Sequence, residues 1–285
     1  MPTDLNIEWT EAIEANVRYF RNPLWLKSYF DHVHRDAGFR ERWIAAAGVL
    51  DDRIVVDVGC GPGNVFATLG GRPRRLIGID VASEALEHAR QLGYDPLLAD
   101  AQNMPLSSGI ADLVIVNASL HHCNDMSAAL KEAARLVAPG GLLVTDHDPQ
   151  LSAWNFKGPG KWLWDLRLRL YHWAKIGFHA SLEEQSVALA SEIHHRPGDG
   201  VTRHFFESTL RPLGFDVEIF PHNHRLGANV LHGGWGKADF KYRLGQRLSS
   251  IEPDAPEAAL SLMCRARRRL PGESPLDRQD VEAVI

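Results

Sequence analysis

The feature that most constrains the fold is a short β-branched run that ends abruptly in glycines. Residues 54–58 read Ile-Val-Val-Asp-Val, and Gly59-Cys60-Gly61-Pro62-Gly63 follows at once. A buried parallel strand has this composition, and glycines after it let the backbone approach a ligand where side chains would block it. The GxGxG spacing differs from the GxGxxG of dinucleotide-binding loops. The run therefore predicts a strand, a tight ligand-binding turn and then a helix.

Strand and helix patterns alternate beyond this turn. Further strands are predicted at 75–80, 96–100, 113–117, 142–146, 215–220 and 259–264. Helices are predicted at 83–92, 125–138 and 202–211, and Pro139-Gly140-Gly141 is expected to end the second of these. Because βα alternation is typical of parallel sheets, the sequence predicts an α/β fold.

The segments around this core suggest a division of the chain. We expect a helical N-terminal cap (1–50), a cofactor-binding half (51–150), a Trp-rich helical insertion acting as a substrate lid (151–204), the rest of the core with an insertion at 222–257 (205–269), and a polar tail (270–285). Two other interpretations of the Trp-rich segment remain open. It packs as a helix on the core, or it presents a basic amphipathic surface to membrane lipid.

Composition excludes several classes of protein. Hydrophobic residues make up 45% and charged residues 24% of the 285, as in an ordinary globular protein. The net charge of -5 is unsuited to binding nucleic acid, so we expect a small-molecule partner instead. Three scattered cysteines fit a reducing compartment, and with no leader or spanning segment recognised we expect a cytoplasmic protein. The oligomeric state stays open.

Two carboxylates follow strands beyond the glycine loop. Asp80 ends one strand, where it would accept hydrogen bonds from two ribose hydroxyls. Asp100 ends the next, where it would accept from the amino group of an adenine. A nucleoside-containing cofactor is therefore expected along this edge of the sheet.

In these motifs the sequence resembles class I S-adenosylmethionine-dependent methyltransferases of the small-molecule type that includes the ubiquinone/menaquinone methyltransferases. The resemblance covers about 51–148 and rests on the segments 55–64, 77–80, 98–105, 112–122 and 135–146. It implies a Rossmann-like sheet of seven strands with the last antiparallel, with S-adenosylmethionine as cofactor and S-adenosylhomocysteine as product.

The resemblance also assigns cofactor contacts to the glycine loop and the strand ends: Asp57, Gly59, Cys60, Gly61, Asp80, Val81, Asp100, Ala101 and Asn117. The loop backbone would hold the methionine moiety, which Asn117 would flank. Asp57 would bind its amino group or orient the loop. An alternative for Asp57 and Asn117 is that they only cap strand ends.

The chemistry needs positioning more than a protein nucleophile, because methyl transfer is an in-line displacement. A hydroxyl acceptor would gain from a general base. The catalytic candidates follow the fourth and fifth strands: His121, His122, Asp146 and His147. O-methylation is therefore favoured, with C- or N-methylation of an aromatic, quinone or lipid-like acceptor as the alternative. In another interpretation, some of these histidines only pack or form hydrogen bonds within their loops.

Substrate contacts are expected from Trp154 and Phe156 in the insertion and from His222 and His224 after the sixth strand. Together with His147, the last two would also supply nitrogen ligands for a transition metal. Because loop histidines more often make hydrogen bonds than bind metals, no metal is expected. His194, His195 and His204 are weaker candidates.

Two other functional classes remain open. One is a non-catalytic S-adenosylmethionine-binding module with an intact glycine loop. The other is a nucleotide-dependent oxidoreductase, which the GxGxG spacing disfavours.

Overall fold

The computed structural model describes residues 7–174 and 181–274. Its central element is one mixed β-sheet. Its strands are β1 Ile54–Val58, β2 Arg75–Asp80, β3 Asp95–Leu98, β4 Ala111–Asn117, β5 Val137–Pro149, β6 Phe215–His222 and β7 Ser261–Arg268. The helices are α1 Glu11–Arg21, α2 Pro23–His32, α3 Ala37–Ala47, α4 Asn64–Leu69, α5 Ser83–Gln91, α6 Met126–Leu136, α7 Gly158–Ala174, α8 Leu182–Ser191, α9 Arg203–Leu210 and α10 Phe240–Leu248.

The seven described strands lie in the order β3-β2-β1-β4-β5-β7-β6. β1 to β5 pair in parallel, whereas β7 is antiparallel to both β5 and β6. This arrangement confirms the Rossmann-like class I methyltransferase sheet. The carboxyl ends of the parallel strands meet at one edge, which is where open α/β sheets bind ligands.

Two predicted boundaries near the sheet are wrong. β3 ends at Leu98, so that Asp100 lies in the following turn. α6 ends at Leu136, and Pro139-Gly140-Gly141 therefore belongs to β5 and does not end the helix. A Cβ at Gly141 would stand 3.0 Å from the Ala138 carbonyl oxygen. Glycine is thus needed for strand packing here.

The predicted last strand, 259–264, begins and ends too early. The arginines that follow it in the sequence look like a polar tail. β7 extends to Arg268, and acidic residues on the neighbouring β6 neutralise its charges. Arg265 contacts Glu218 at 2.5 Å, and Arg267 contacts Asp216 at 3.1 Å. Such cross-strand pairs allow charged residues in a strand.

The helix α1 lies over the carboxyl edge of the sheet. Thr10 begins it by accepting a hydrogen bond from the Ile13 amide. Its apolar residues Ile13, Val17 and Phe20 then pack on Ala82 and Ala85 at the start of α5. The helix is thereby fixed beside the glycine loop.

Parts of the predicted cap, insertion and tail, at 1–6, 175–180 and 275–285, lie outside the described residues. Among the helices that are described, none is long and apolar enough to cross a membrane. The division of the chain into cap, core and insertions stays a prediction.

Candidate active site

A cavity of about 380 Å³ opens at the carboxyl edge of the sheet. Its floor is formed by the glycine loop and by the residues that follow β2, β3 and β4. Its roof comes from α1, α2 and the end of α8. We call the part beside the glycine loop the cofactor end and the part lined by histidines the acceptor end.

The cofactor end contains most of the predicted cofactor residues. These are Gly59, Gly61, Asp80, Val81, Asp100 and Ala101. The buried Asp80 carboxylate accepts hydrogen bonds from the amides of Gly61 and Ala82, at 2.8 and 2.9 Å. Burial raises its pKa, which these backbone bonds oppose. Asp80 thus fixes the position of the glycine loop and still lines the cavity.

The glycine loop needs residues without side chains. Gly59 and Gly61 have φ of 68° and 51°, in the left-handed region that favours glycine. A Cβ at Gly59 would collide with the hydroxyl of Ser119. At Gly61 the nearest atom to such a Cβ would be Phe20 Cζ, 3.7 Å away across the cavity.

Three predicted cofactor residues, Asp57, Cys60 and Asn117, are not among the described residues that line the cavity. Asp57 is buried and accepts a hydrogen bond from the Tyr94 hydroxyl at 2.7 Å. Burial raises the pKa of Asp57 to about 7. The Cys60 sulfur lies against Gly78 in the core. Asp57 and Cys60 thus direct their side chains into the protein and away from the cavity.

The acceptor end is lined by five histidines of the described chain: His34, His121, His122, His147 and His195. They come from the N-terminal cap, the turn after β4, β5 and the segment after α8. Glu192 lies among them. Only the folded chain brings these separate segments together.

His121 and Asp148 form a buried dyad. Asp148 Oδ1 accepts from His121 Nδ1 at 2.8 Å and from the His121 amide at 3.1 Å. When Asp148 is ionised it only accepts, so His121 then carries its proton on Nδ1 and presents a lone pair on Nε2. Burial raises the pKa of Asp148 to about 7 and lowers the pKa of His121 to about 3. The dyad therefore takes up one proton near neutral pH, shared between the two groups.

His122 has an equally defined orientation. Its Nδ1 donates to the Ser191 carbonyl oxygen at 2.8 Å, which leaves Nε2 as the nitrogen with the lone pair. Burial, together with the neighbouring His121, lowers the pKa of His122 to about 4. His122 is thus a neutral hydrogen-bond acceptor at physiological pH.

Asp146 belongs to a fully buried ionic network instead of the cavity wall. It accepts from Arg42 Nε at 3.0 Å, from His222 Nε2 at 2.5 Å and from the His147 amide at 2.7 Å. Arg42 also donates to the carbonyl oxygens of His224 and Leu226. The network joins α3 to β5 and to the segment after β6.

His147 lies between this network and the cavity. It has a φ of 64°, in the left-handed region, and its ring stacks on His224 with centroids 4.8 Å apart. His222 and His224 lie behind it and are not among the described cavity-lining residues. Their predicted substrate contacts are thus not placed at the cavity.

Trp154 and Phe156 are also placed away from the cavity. They pack with Trp164 in a separate cluster, where Trp154 Nε1 donates to the Leu260 carbonyl oxygen at 2.9 Å. The part of the insertion that does reach the cavity is α8 and the residues after it. The Trp-rich helix α7 therefore packs on α10, and α8 covers the site.

No metal centre is formed by the described residues. Within 7–174 and 181–274, no group of three or more His, Cys, Asp or Glu side chains is arranged to hold a metal ion. The rings of His147, His222 and His224 stack or meet edge to face at 4.8 to 5.8 Å between centroids.

Sequence reasoning missed Arg42, His34 and the role of α8 with Glu192. One signal for α8 was available: Ser181 precedes Glu184 by the spacing of a capping box, and its hydroxyl accepts from the Glu184 amide at 3.0 Å. Arg42 gave no local signal, because its partner Asp146 lies far along the chain.

Comparison with known proteins matches part of this chain to methyltransferases. Residues 56–145 match the family model described as a methyltransferase domain. Malonyl-[acyl-carrier protein] O-methyltransferase from Yersinia pestis is 34% identical over 93 residues, which are 32% of this chain and 35% of that protein. Arsenite methyltransferase from Aquipseudomonas alcaligenes is 29% identical over 140 residues, 42% of this chain and 40% of that protein. The chain thus spans well under half the length of either relative.

Solved structures share the fold over most of the chain. The plantazolicin methyltransferase in complex with a triazolic desmethylPZN analog and SAH has a TM-score of 0.51 at 14% identity, covering 91% of this chain and 96% of that one. A [4+2]-cyclase has a TM-score of 0.53 at 15% identity, covering 92% and 97%. At these identities the likeness establishes the fold alone.

Proposed function

We propose that this chain, of which residues 56–145 match a methyltransferase domain, transfers a methyl group from S-adenosylmethionine to a small-molecule acceptor, with O-methylation favoured. One observation carries the proposal. A single cavity joins the glycine loop and strand-end carboxylates to a His–Asp dyad with a free imidazole lone pair.

The cofactor end fits S-adenosylmethionine chemically. The ribose hydroxyls and the adenine amino group are donors, and the carboxylates of Asp80 and Asp100 at the cavity wall are acceptors. Gly61 leaves room for the backbone to approach a ligand. When bound, the cofactor supplies an electrophilic methyl group.

The acceptor end fits activation of a hydroxyl. His121 Nε2 would accept the hydroxyl proton, and Asp148 would hold the ring in the required tautomer. His122 Nε2 would orient the same or a neighbouring hydroxyl. Helices α1 and α8, which line the cavity, would keep water from the reacting atoms.

His147 and Asp146 act differently in this proposal. His147 borders the acceptor, while Asp146 holds the His147 amide and the Arg42 side chain in place. Asp146 is therefore a positioning residue. O-methylation is preferred over C- or N-methylation because a neutral imidazole lone pair meets the need of a hydroxyl acceptor for a base.

Titration calorimetry with S-adenosylmethionine and S-adenosylhomocysteine tests the proposal, with metal analysis of the same sample. We expect both ligands to bind, and Asp80→Ala to weaken binding about 10- to 100-fold, because a hydrogen bond to a charged group contributes about 1.5–3 kcal/mol. Asp95→Ala is the matched control, because this carboxylate is exposed at the start of β3. Absence of binding to either ligand would refute the proposal, and a stoichiometric metal would reopen the metal interpretation.

A further inference from the structure

The charged side chains among the described residues lining the cavity are all carboxylates: Asp80, Asp100 and Glu192. Two lie at the cofactor end, and Glu192 alone of the three lies beside the histidines. Burial by itself would raise the pKa of Glu192, but its hydrogen bond with His195 holds the pKa below its ordinary value. Glu192 is thus an anion at the wall of the acceptor end.

The groups around Glu192 accept hydrogen bonds. The Nδ1 atoms of His121 and His122 are committed to Asp148 and to the Ser191 carbonyl, so both rings turn an Nε2 lone pair outward. His195 Nδ1 lies 3.1 Å from Glu192 Oε2, which favours the same tautomer. This side of the cavity therefore favours a molecule that donates hydrogen bonds.

Three aromatic side chains form part of the wall of the same cavity. Phe20 lies between Tyr19 and Tyr29, with ring centroids 5.3 and 5.4 Å away and both pairs edge to face. All three side chains line the cavity. A flat ring would gain apolar contact and favourable ring geometry against such a wall.

We infer that Glu192 and His122 determine acceptor specificity and select an uncharged hydroxylated aromatic molecule over its carboxylate analogue. The inference rests on the proposed function for its reaction. In that reaction the acceptor oxygen bonds to the methyl carbon, the methyl–sulfur bond breaks with its electron pair on sulfur, and the hydroxyl proton passes to His121 Nε2. A carboxylate on the ring would meet the Glu192 charge inside the cavity, and such like-charge contacts are costly.

Three probes with one ring test the inference: catechol, 3,4-dihydroxybenzoate and 3,4-dihydroxybenzylamine. Each is titrated by calorimetry into protein saturated with S-adenosylhomocysteine. We expect catechol to bind at least about tenfold more tightly than the benzoate. Tighter or equal binding of the benzoate would overturn the inference, and so would failure of catechol to bind at millimolar concentration. The benzylamine carries an ammonium group that the Glu192 charge attracts, so weaker binding of the benzylamine than of the benzoate would overturn it as well.

The variant Glu192→Gln separates specificity from structure. We expect it to reduce the preference for catechol over the benzoate to about twofold or less, with S-adenosylhomocysteine binding unchanged. Glu183→Gln on α8 is the control, because its carboxylate is exposed and pairs with Arg18. An unchanged preference in Glu192→Gln would overturn the inference. If the wild-type protein did not bind S-adenosylhomocysteine at all, the proposed function would be refuted instead.

Discussion

Asp146 and Asp148 lie two residues apart on β5, and both are fully buried, yet their surroundings give them opposite properties. Burial alone would raise the pKa of Asp146, but the charge of Arg42, with His222 and His147, holds it well below its ordinary range. Asp148 faces a neutral imidazole, and burial raises its pKa to about 7. Whether a buried carboxylate stabilises the fold or exchanges protons thus depends on its partner.

A bulge in β5 separates the two environments. Thr145 pairs with Cys264 and Asp148 pairs with Leu262, so β5 contains one extra residue at this point. His147 takes up the irregularity in its left-handed conformation. Regular alternation would place Asp146 and Asp148 on one face of the strand. With the bulge, Asp146 contacts Arg42 in the buried network, and Asp148 contacts His121 behind the cavity wall.

The largest effect is expected for Asp146→Asn. Removal of one partner from a buried ion pair leaves the Arg42 charge uncompensated, so the free energy of unfolding at neutral pH should fall by about 3–5 kcal/mol. Because the native pKa of Asp146 is lowered, its contribution exists above the unfolded-state pKa and is lost as the pH falls. Urea denaturation at several pH values measures both effects.

Asp95→Asn is the control for this comparison, since an exposed pair contributes about 0–1 kcal/mol. If Asp146→Asn cost no more than this control, the network would not stabilise the fold.

Asp148→Asn should show the opposite pH dependence, with a smaller decrease in the free energy of unfolding. Because the native pKa of Asp148 is raised, its contribution is complete below the unfolded-state pKa and is lost as the pH rises towards about 7. The asparagine of the variant does not titrate, so the variant does not lose stability in this way as the pH rises. Its free energy of unfolding relative to that of the wild-type protein should therefore increase between about pH 4 and pH 7. Urea denaturation of the two proteins in parallel measures the difference. A difference independent of pH would show that Asp148 titrates normally.

The smallest effect concerns the bulge itself. The left-handed conformation costs a residue with a Cβ roughly 1 kcal/mol, a cost that glycine avoids. His147→Gly and His147→Ala both remove the ring, so we expect the glycine variant to be more stable by about 1 kcal/mol in thermal or urea unfolding. Equal stability of the two variants would indicate that the bulge is not strained.

The cofactor end was accessible to prediction because it is built from short, continuous motifs. The glycine loop, Asp80 and Asp100 each follow a strand, and the parallel sheet brings their backbone positions to one edge. Asp57 and Cys60 were predicted to contact the cofactor but do not line the cavity, because the motif does not specify the direction of their side chains. Their side chains point into the core, where Tyr94 contacts them.

The acceptor end depends on contacts between distant segments. The Asp-His-Asp run gave no sign that Arg42 would bind the first carboxylate and His121 the second. The tryptophans of the insertion suggest a lid, but Trp154 and Trp164 are buried in a cluster away from the cavity, whereas Trp162 and Trp173 are exposed. The helix of the insertion that does cover the cavity is α8, which has small side chains such as Ala188 there.

The most direct test of the account is single-turnover methyl transfer from S-adenosylmethionine to catechol as a function of pH. We expect the wild-type rate to rise through an inflection at about pH 7, as the His121–Asp148 dyad loses its shared proton. Asp148→Asn should be about 100-fold slower and lack this inflection. Transfer at the wild-type rate and with the wild-type pH profile in Asp148→Asn would contradict the assignment of the dyad as the general base, and absence of transfer by the wild-type protein would contradict the account as a whole.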